Sequence, residues 1–324
     1  MIYIGIVTYN SAADLPECFD ALRAQTFPSV SIIVYDNASA DESTAWIQTN
    51  APAARLIEGT ENLGYGRAHN RLIQLANLQR GDAYLALNPD AVLAPAYIQE
   101  LWDALTRHDD IGWATGKLLM KGGDGTPNGL VYSAGHGLLR SGFAFNIGHG
   151  LPESETFADS GEVFGAPGAA ALYRAEMITR LAPSGDFFDP AMFMYAEDTD
   201  VDWRARLQGW RCWYAADAVA YHRGSAPGGR LKMEAIANRY LSVLKNAYGF
   251  DLLVFNIPYM MAHCLVRLIA TPRLGARLCL RLFSRLPGAL RQRQRAAVTR
   301  AAMQLWFRWS AKQPSMQRPG WLSR

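Results

Sequence analysis

Between residues 2 and 107 the chain alternates short apolar runs with amphipathic segments of helical period, and nothing else in the sequence constrains the fold as strongly. Strand-like runs occupy 2–8, 31–35, 55–58 and 83–88, and helix-like segments follow at 14–25, 42–49, 67–78 and 95–107. Leu15, Cys18, Phe19 and Leu22 recur on one face of the first helix; Leu72, Ile73 and Leu75 point inward from the third. This rhythm predicts a mostly parallel α/β sheet with helical crossovers. Such a sheet gathers its ligand at the carboxyl ends of its strands, so the residues that follow each strand become the candidates.

Beyond Lys117 the rhythm loosens. Polar loops are expected at 121–128 and 151–159, irregular strand pairs between them, strands at 164–173 and 210–220, and a helix at 197–208. One body of residues 1–225 followed by a helical region of 226–324 is the expected organisation. The first seven residues have neither a basic start nor a cleavage site and read as a strand rather than a signal peptide. Four cysteines without a CxxC pair argue against a disulfide framework or structural zinc and fit a reducing cytosol.

The strand ends carry polar residues. The first gives Thr8-Tyr9-Asn10, the second Asp36-Asn37-Ala38-Ser39, the fourth Asn88-Pro89-Asp90. Proline cannot extend a ladder, so the fourth strand stops there and leaves one carboxylate, Asp90, at its end. That suits a hard divalent cation that takes its other ligands from water and phosphate, with a plain turn as the alternative. Asp36 is placed either to accept from the imide of uracil or thymine or to cap the next helix. Between the third strand and its helix, Asn62, Gly64, Gly66, Arg67 and Asn70 combine backbone freedom with a cation at a helix start, which favours phosphate. His69 stands where a dinucleotide fingerprint needs its third glycine, and no GxxxxGK[ST] loop occurs.

Four carboxylates, Glu197, Asp198, Asp200 and Asp202, lie within six residues. Crowded acids raise the pKa of at least one member, which serves a general base, although a solvated helix start looks the same. His222 follows a strand; its imidazole either completes a metal site with Asp90 or is structural. No HxxxH pair exists among the six histidines, which argues against a zinc hydrolase. The small-residue stretch 164–171 suits tight packing first, or else a floor under a sugar.

Taken in order and spacing over residues 1–245, TYN at 8–10, DNAS at 36–39, ENLGYGRAHN at 61–70, NPD at 88–90 and YAEDTDVDWR at 195–204 resemble family-2 glycosyltransferases of the GT-A fold, in particular the bacterial rhamnosyltransferase-like branch of surface-polysaccharide pathways. The resemblance implies a Rossmann-like sheet with helices on both faces in residues 1–225, binding nucleotide sugar and acceptor. It implies an inverting transfer from a nucleotide-diphosphate sugar, dTDP-L-rhamnose foremost, to a glycan or lipid-linked acceptor. Asp36 would contact the nucleotide base; Asn62, Gly64, Gly66, Arg67 and Asn70 would lie by nucleoside and phosphates, and Thr8, Tyr9, Asn10, Asn88 and Asp90 would join in binding the nucleotide sugar. Asp90 and His222 would hold Mg2+ or Mn2+, and Asp198 would be the catalytic base. The acceptor side is expected at Glu197, Trp203 and His136. Asn88 departs from the aspartate of most of the wider family and removes one negative charge, so weak, substrate-assisted metal binding is expected. The alternatives are a UDP-sugar donor (galactose, N-acetylglucosamine or galactofuranose), or a membrane-associated scaffold with a degenerate transferase fold, which Asn88 favours and the intact acidic cluster opposes.

Charge is divided sharply along the chain. Residues 245–324 hold fourteen Lys and Arg against one acid, Asp251, whereas the first 244 hold 18 basic and 28 acidic side chains. The uncharged run 252–266 is fifteen residues long, short of the roughly 20 that span a bilayer, and Asn256, Pro258 and His263 weaken it. Arg273, Arg277, Arg281 and Arg285 recur beside Leu274, Leu278, Leu282 and Leu286, which gives a cationic stripe next to an apolar one until Pro287 is expected to break the helix. Trp306, Phe307 and Trp309 are candidate interface anchors. The expectation is that 250–310 lies on an anionic surface at the inner face of the cytoplasmic membrane. Packing or a homodimer interface ranks next, and no nucleic acid is expected.

Overall fold

A computed structural model of the chain describes residues 1–122, 125–224, 229–293 and 295–308. β1 (Ile2–Thr8), β2 (Val30–Asp36), β3 (Arg55–Glu58) and β4 (Ala83–Leu87) form a parallel group in the order β4-β1-β2-β3, joined by α1 (Leu15–Arg23), α2 (Ser43–Asn50) and α3 (Tyr65–Ala76). Then come β5 (Ala91–Leu93), α4 (Tyr97–Thr106) and β6 (Ile111–Lys121). After these the chain makes β7 (Pro127–Ser133), β8 (His136–Leu139), β9 (Ala144–Asn146), β10 (Gly161–Val163) and β11 (Ala170–Arg174). α5 (Ala175–Leu181), α6 (Glu197–Leu207) and β12 (Arg211–His222) complete a ten-stranded sheet of order β10-β12-β6-β11-β4-β1-β2-β3, with β5 on β12 and β7 on β6. β11 is antiparallel to both neighbours, while β12 runs parallel to β6.

Both faces are covered, which is why β4 is buried at every residue. Ala83, Leu85 and Leu87 point into a core with Ile2, Ile4, Leu101 and Leu105; Tyr84 and Ala86 point into another with Leu72, Trp113, Tyr173 and Phe188. This is the two-sided burial that continuous apolar strands predict. The expected strand at 164–173 is shorter, because Pro167 interrupts it: β11 pairs with β4 and β6, and Gly165 makes only an isolated bridge to His136.

The C-terminal region is helical, as expected: α7 (Gly229–Asn246), α8 (Gly249–Asp251), a π-turn at Leu252–Asn256, α9 (Ile257–Ala270), α10 (Pro272–Arg291) and α11 (Arg300–Gln304). β13 (Phe307–Arg308) returns to pair with β8. The expected cut at 225/226 and Trp309 lie outside the described residues. α7 is joined to the sheet body by buried charge: Lys245 Nζ donates to Asp189 Oδ2 (2.7 Å) and Asp200 Oδ2 (2.9 Å), beside the Arg204–Asp200 pair.

Three features of this region differ from expectation. Leu274, Leu278, Leu282 and Leu286 are not an outward stripe; they pack against α7 with Met233, Tyr240 and Leu244, and Arg285 pairs with Glu234. α10 runs through Pro287 to Arg291, since one lost backbone bond does not outweigh that packing. The apolar helix is also longer than its uncharged run. It covers 249–270, 22 residues, with Asp251 neutralised by Arg300 and Pro258 accommodated just after the π-turn.

Candidate active site

The carboxyl ends of β1 and β4 open onto a cleft of about 540 Å³, closed on the other side by residues 132–146, the start of α6 and α7. Of the expected site residues, Tyr9, Asn10, Asn62, Asn88, Asp90, His136, Glu197, Asp198 and His222 line it. Thr8 and Asp36 lie just beneath. Thr8 Oγ1 donates to Asp36 Oδ1 at 2.7 Å, and the amide and hydroxyl of Ser39 donate at 2.8 and 2.6 Å, so this buried carboxylate fixes the β1 and β2 ends against each other. Asn37, one residue on, does reach the cleft and orders the next loop by accepting from Leu63 N at 3.0 Å.

The glycine segment is filled by the chain itself. Gly64 has φ +78°, and a Cβ there would stand 2.1 Å from the Phe193 carbonyl oxygen; one on Gly66 would stand 3.1 Å from Phe188 Cβ. Asn70 exchanges hydrogen bonds with Phe188 N and O (2.8 and 2.7 Å), and Arg67 donates to Pro190 O at 2.8 Å from a neighbouring depression. Their tolerance for close approach serves residues 188–193. His69 is a core residue bonded to Tyr84 (2.7 Å), its basicity pushed down to about 3 by burial. Trp203 is buried against Phe164 and Phe307, away from the cleft wall.

At the end of β4, Asp90 Oδ1 stands 3.1 Å from His222 Nε2, and Asn88 Nδ2 lies 3.4 Å from the same nitrogen. Register explains the meeting: β5 pairs with β12, setting Ala91 opposite His222. Gly224 N donates to Asp90 Oδ2 at 3.2 Å. Burial is the largest single influence on Asp90 and raises its pKa, but the His222 hydrogen bond and charge, the Gly224 amide and Arg223 outweigh it and hold the carboxyl below its ordinary value. Tyr132 stacks edge-on against His222 with centroids 4.5 Å apart. Among the described residues no three His, Cys, Asp or Glu converge as a metal site.

The acidic cluster stands on strained backbone. Tyr195 (φ +71°) and Ala196 (φ +70°) are both left-handed, a conformation that costs about 1–2 kcal/mol per non-glycine residue. That turn launches α6 so that Glu197 and Asp198 face the cleft. Gly168 N donates to Asp198 Oδ2 at 3.0 Å, and Thr199 N to Oδ1 at 2.7 Å. Glu197 is buried, with Oε2 lacking a partner; burial and then the Asp198 charge raise its pKa well above the ordinary carboxylate range. Asp200 and Asp202 turn away into the body. Asp202 accepts from Trp113 Nε1 (2.9 Å) and Ala166 N (3.1 Å) and meets His136 Nδ1 at 2.7 Å.

Sequence reasoning missed Asn238, Arg239, Arg223 and Asp14. Asn238 Nδ2 donates to the carbonyls of Met194 and Tyr195 (3.0 and 3.1 Å), which holds the strained turn. Arg239 lines the cleft from α7, and Arg223 pairs with Asp14 at its rim. An asparagine beside an arginine, set among Met233, Ile236, Tyr240 and Leu241 of α7, was the available signal.

The sequence profile of glycosyl transferase family 2 matches residues 3–181. In Mycobacterium tuberculosis (strain H37Rv), the protein named N-acetylglucosaminyl-diphospho-decaprenol L-rhamnosyltransferase is 29% identical over 244 residues, covering 69% of this chain and 76% of its own. The solved structure of GalNAc-T7 with UDP, GalNAc and Mn2+ superposes with a TM-score of 0.61 at 13% identity over 76% of this chain; the match spans 48% of that protein, about half its length. S. aureus TarS 1-349 in complex with UDP gives 0.51 at 17% identity, over 76% of this chain and 66% of its own. The solved structures confirm the GT-A architecture, and the profile covers more than half of the sequence. The chain belongs to glycosyl transferase family 2.

Proposed function

We propose that this glycosyltransferase is inverting and metal-dependent, and that it moves L-rhamnose from its nucleotide-diphosphate donor to a lipid-diphosphate-linked sugar in surface-polysaccharide synthesis. One observation carries the reading: a carboxylate–imidazole pair at a strand end and an accessible carboxylate on a strained helix start share one cleft. The rhamnosyl donor and the lipid-linked acceptor follow the named mycobacterial relative.

The residues fit a divalent cation. Asp90 and His222 would hold it, since a carboxylate oxygen and an imidazole nitrogen are both ligands such a cation takes. Asp90 Oδ1 and His222 Nε2 are 3.1 Å apart. When bound, Mg2+ or Mn2+ supplies positive charge to the leaving diphosphate. With Asn88 uncharged, that diphosphate provides most of the remaining negative ligands.

Asp198 takes the proton of an acceptor hydroxyl while that oxygen forms its bond to the anomeric carbon. The carbon–oxygen bond to the diphosphate breaks on the opposite face, which inverts the centre. Glu197, kept protonated by burial, offers a hydrogen bond to a sugar hydroxyl. Tyr9, 53% exposed at the lip, offers a stacking face to the base, and Arg239 an additional cation to anionic substrate.

In this reading residues 1–225 carry donor and acceptor, with Arg239 of α7 added to the cleft wall, and the remainder of 226–324 holds the enzyme on the cytoplasmic face of the membrane. The support is exposed apolar surface on 249–270, notably Phe250, Leu253, Met261, Leu265 and Ile269, with Leu280 and Phe283 of α10 nearby in sequence to Arg273 and Arg277.

Donor hydrolysis across a panel of nucleotide sugars, with and without Mg2+ or Mn2+, tests the reading. Turnover of dTDP-L-rhamnose, its loss in Asp198→Asn with nucleotide affinity retained, and weaker metal-dependent nucleotide binding in Asp90→Ala are expected. Turnover of UDP-sugars alone would reassign the donor. Nucleotide binding without turnover of any donor would leave a scaffold.

A further inference from the structure

His136 opens β8 between two carboxylates of α6, 62 and 66 residues further along the chain. Its Nδ1 is 2.7 Å from Asp202 Oδ2 and its Nε2 is 4.0 Å from Asp198 Oδ2. The arrangement is held firmly from behind. His136 N donates to Gly165 O at 2.8 Å. Asp202 is fully buried, with Trp113 Nε1 and Ala166 N as further donors, and a Cβ on Gly165 would stand 2.0 Å from its Oδ2. Three donors around one carboxylate favour its ionised form, so the shared proton belongs on the imidazole.

We propose that His136 is a positioning residue for the Asp198 base: clamped by Asp202 at Nδ1, it turns a proton-bearing Nε2 toward Asp198 and holds that carboxylate in aim beside Glu197. The inference rests on the reading of Asp198 as base and adds a residue that acts through it.

The surroundings agree. Burial alone would depress His136, yet the Asp202 hydrogen bond and charge, followed by Asp198, outweigh it and hold the imidazole above its ordinary 6.5, with Arg239 of α7 opposing. Burial raises Asp202, while the His136 hydrogen bond and charge pull it back down. The charged groups facing the imidazole are thus Asp198 and Asp202 from α6 and Arg239 from α7. Glu197 stands next to Asp198 and competes for the same ionisation. Arg239 lines the same cleft as Asp198 and Glu197, so the imidazole is one of two cationic groups near these acids.

The test is the pH dependence of transfer by the full chain. In His136→Gln the acid limb of kcat/KM should move up by about one pH unit, the scale expected for a unit charge roughly 4 Å away in a partly solvated site. Asp202→Asn should move it the same way, and donor KM should change less than kcat. If the wild type transfers sugar and Asp198→Asn does not, an unmoved acid limb in His136→Gln overturns the inference while the base assignment stands. If the wild type transfers nothing, it is the proposed function that fails. NMR titration of 13C-labelled histidine decides the point without substrate, and also if His136→Gln does not fold. The His136 midpoint should lie above that of an exposed histidine and drop in Asp198→Asn; equal midpoints in the two proteins would overturn the inference.

Discussion

The side-chain amide of Asn238 donates to the carbonyl of Tyr195 at 3.1 Å, so a residue of α7 holds the left-handed turn from which the acidic helix starts. The same amide reaches Met194 O at 3.0 Å. In Asn238→Ala both carbonyls lose their donor in a buried place, a loss of about 1–3 kcal/mol. We expect thermal unfolding to move down by several degrees and kcat to fall at least tenfold, with donor KM changed far less. A variant that unfolds earlier yet turns over normally would show that the turn holds itself.

Glu197 is a buried carboxyl with an unpartnered oxygen and a raised pKa, caused first by burial and second by Asp198. The folded state therefore keeps its proton to higher pH than the unfolded chain, and stability falls as pH rises above the ordinary carboxylate range. Glu197→Gln removes that penalty. Its unfolding temperature should match wild type at pH 4 and exceed it at pH 8, while activity drops if the proton is used. Equal unfolding temperatures at both pH values would mean that Glu197 is not held protonated.

Asp200 has the opposite sign. Burial is the largest influence and raises it, but Lys245 and Arg204 outweigh burial and bring it down to about 2. Its contribution is fully present above pH 4 and is lost as pH falls through about 2. Lys245→Met should cost about 3 kcal/mol near neutrality, because it uncovers Asp189 and Asp200 together. The gap from wild type should narrow in urea titrations repeated toward pH 2. A constant gap would place the loss in packing rather than in charge.

The exposed apolar helix makes the membrane reading testable apart from catalysis. Leu253, Leu265 and Ile269 are 69%, 59% and 73% exposed, so a triple change to Glu should leave the fold intact. Co-sedimentation with phosphatidylglycerol vesicles should be strong for wild type and lost in the triple variant, with unfolding temperature unchanged. Equal sedimentation of both proteins would remove this surface from consideration.

Much of the site was legible because a parallel α/β pattern fixes where strands end. Asp90 could be placed by Pro89 alone, and His222 joined it once 211–222 became a strand. Other parts were not legible, for physical reasons. Glycine at 64 and 66 says that something comes close, but not that the visitor is Phe193 or Phe188 rather than a ligand. The leucine stripe of α10 has the same period whether it meets lipid or α7; only the packing of Leu278 against that helix decides. His136 and Asp202 are 66 residues apart in different kinds of element, and no local pattern joins them.

The sheet has all its strands in hand once residue 222 has been made, but the acidic helix is not yet held at that point. The turn at 195–196 waits for Asn238, and the Asp189–Asp200 pair waits for Lys245. In chain order, then, the strands of the sheet come before the latch of its acidic helix, and a growing chain passes through a stage in which the latch is still to come. The contacts that hold the acidic helix arrive with the last third of the chain, after the residues that match the family profile.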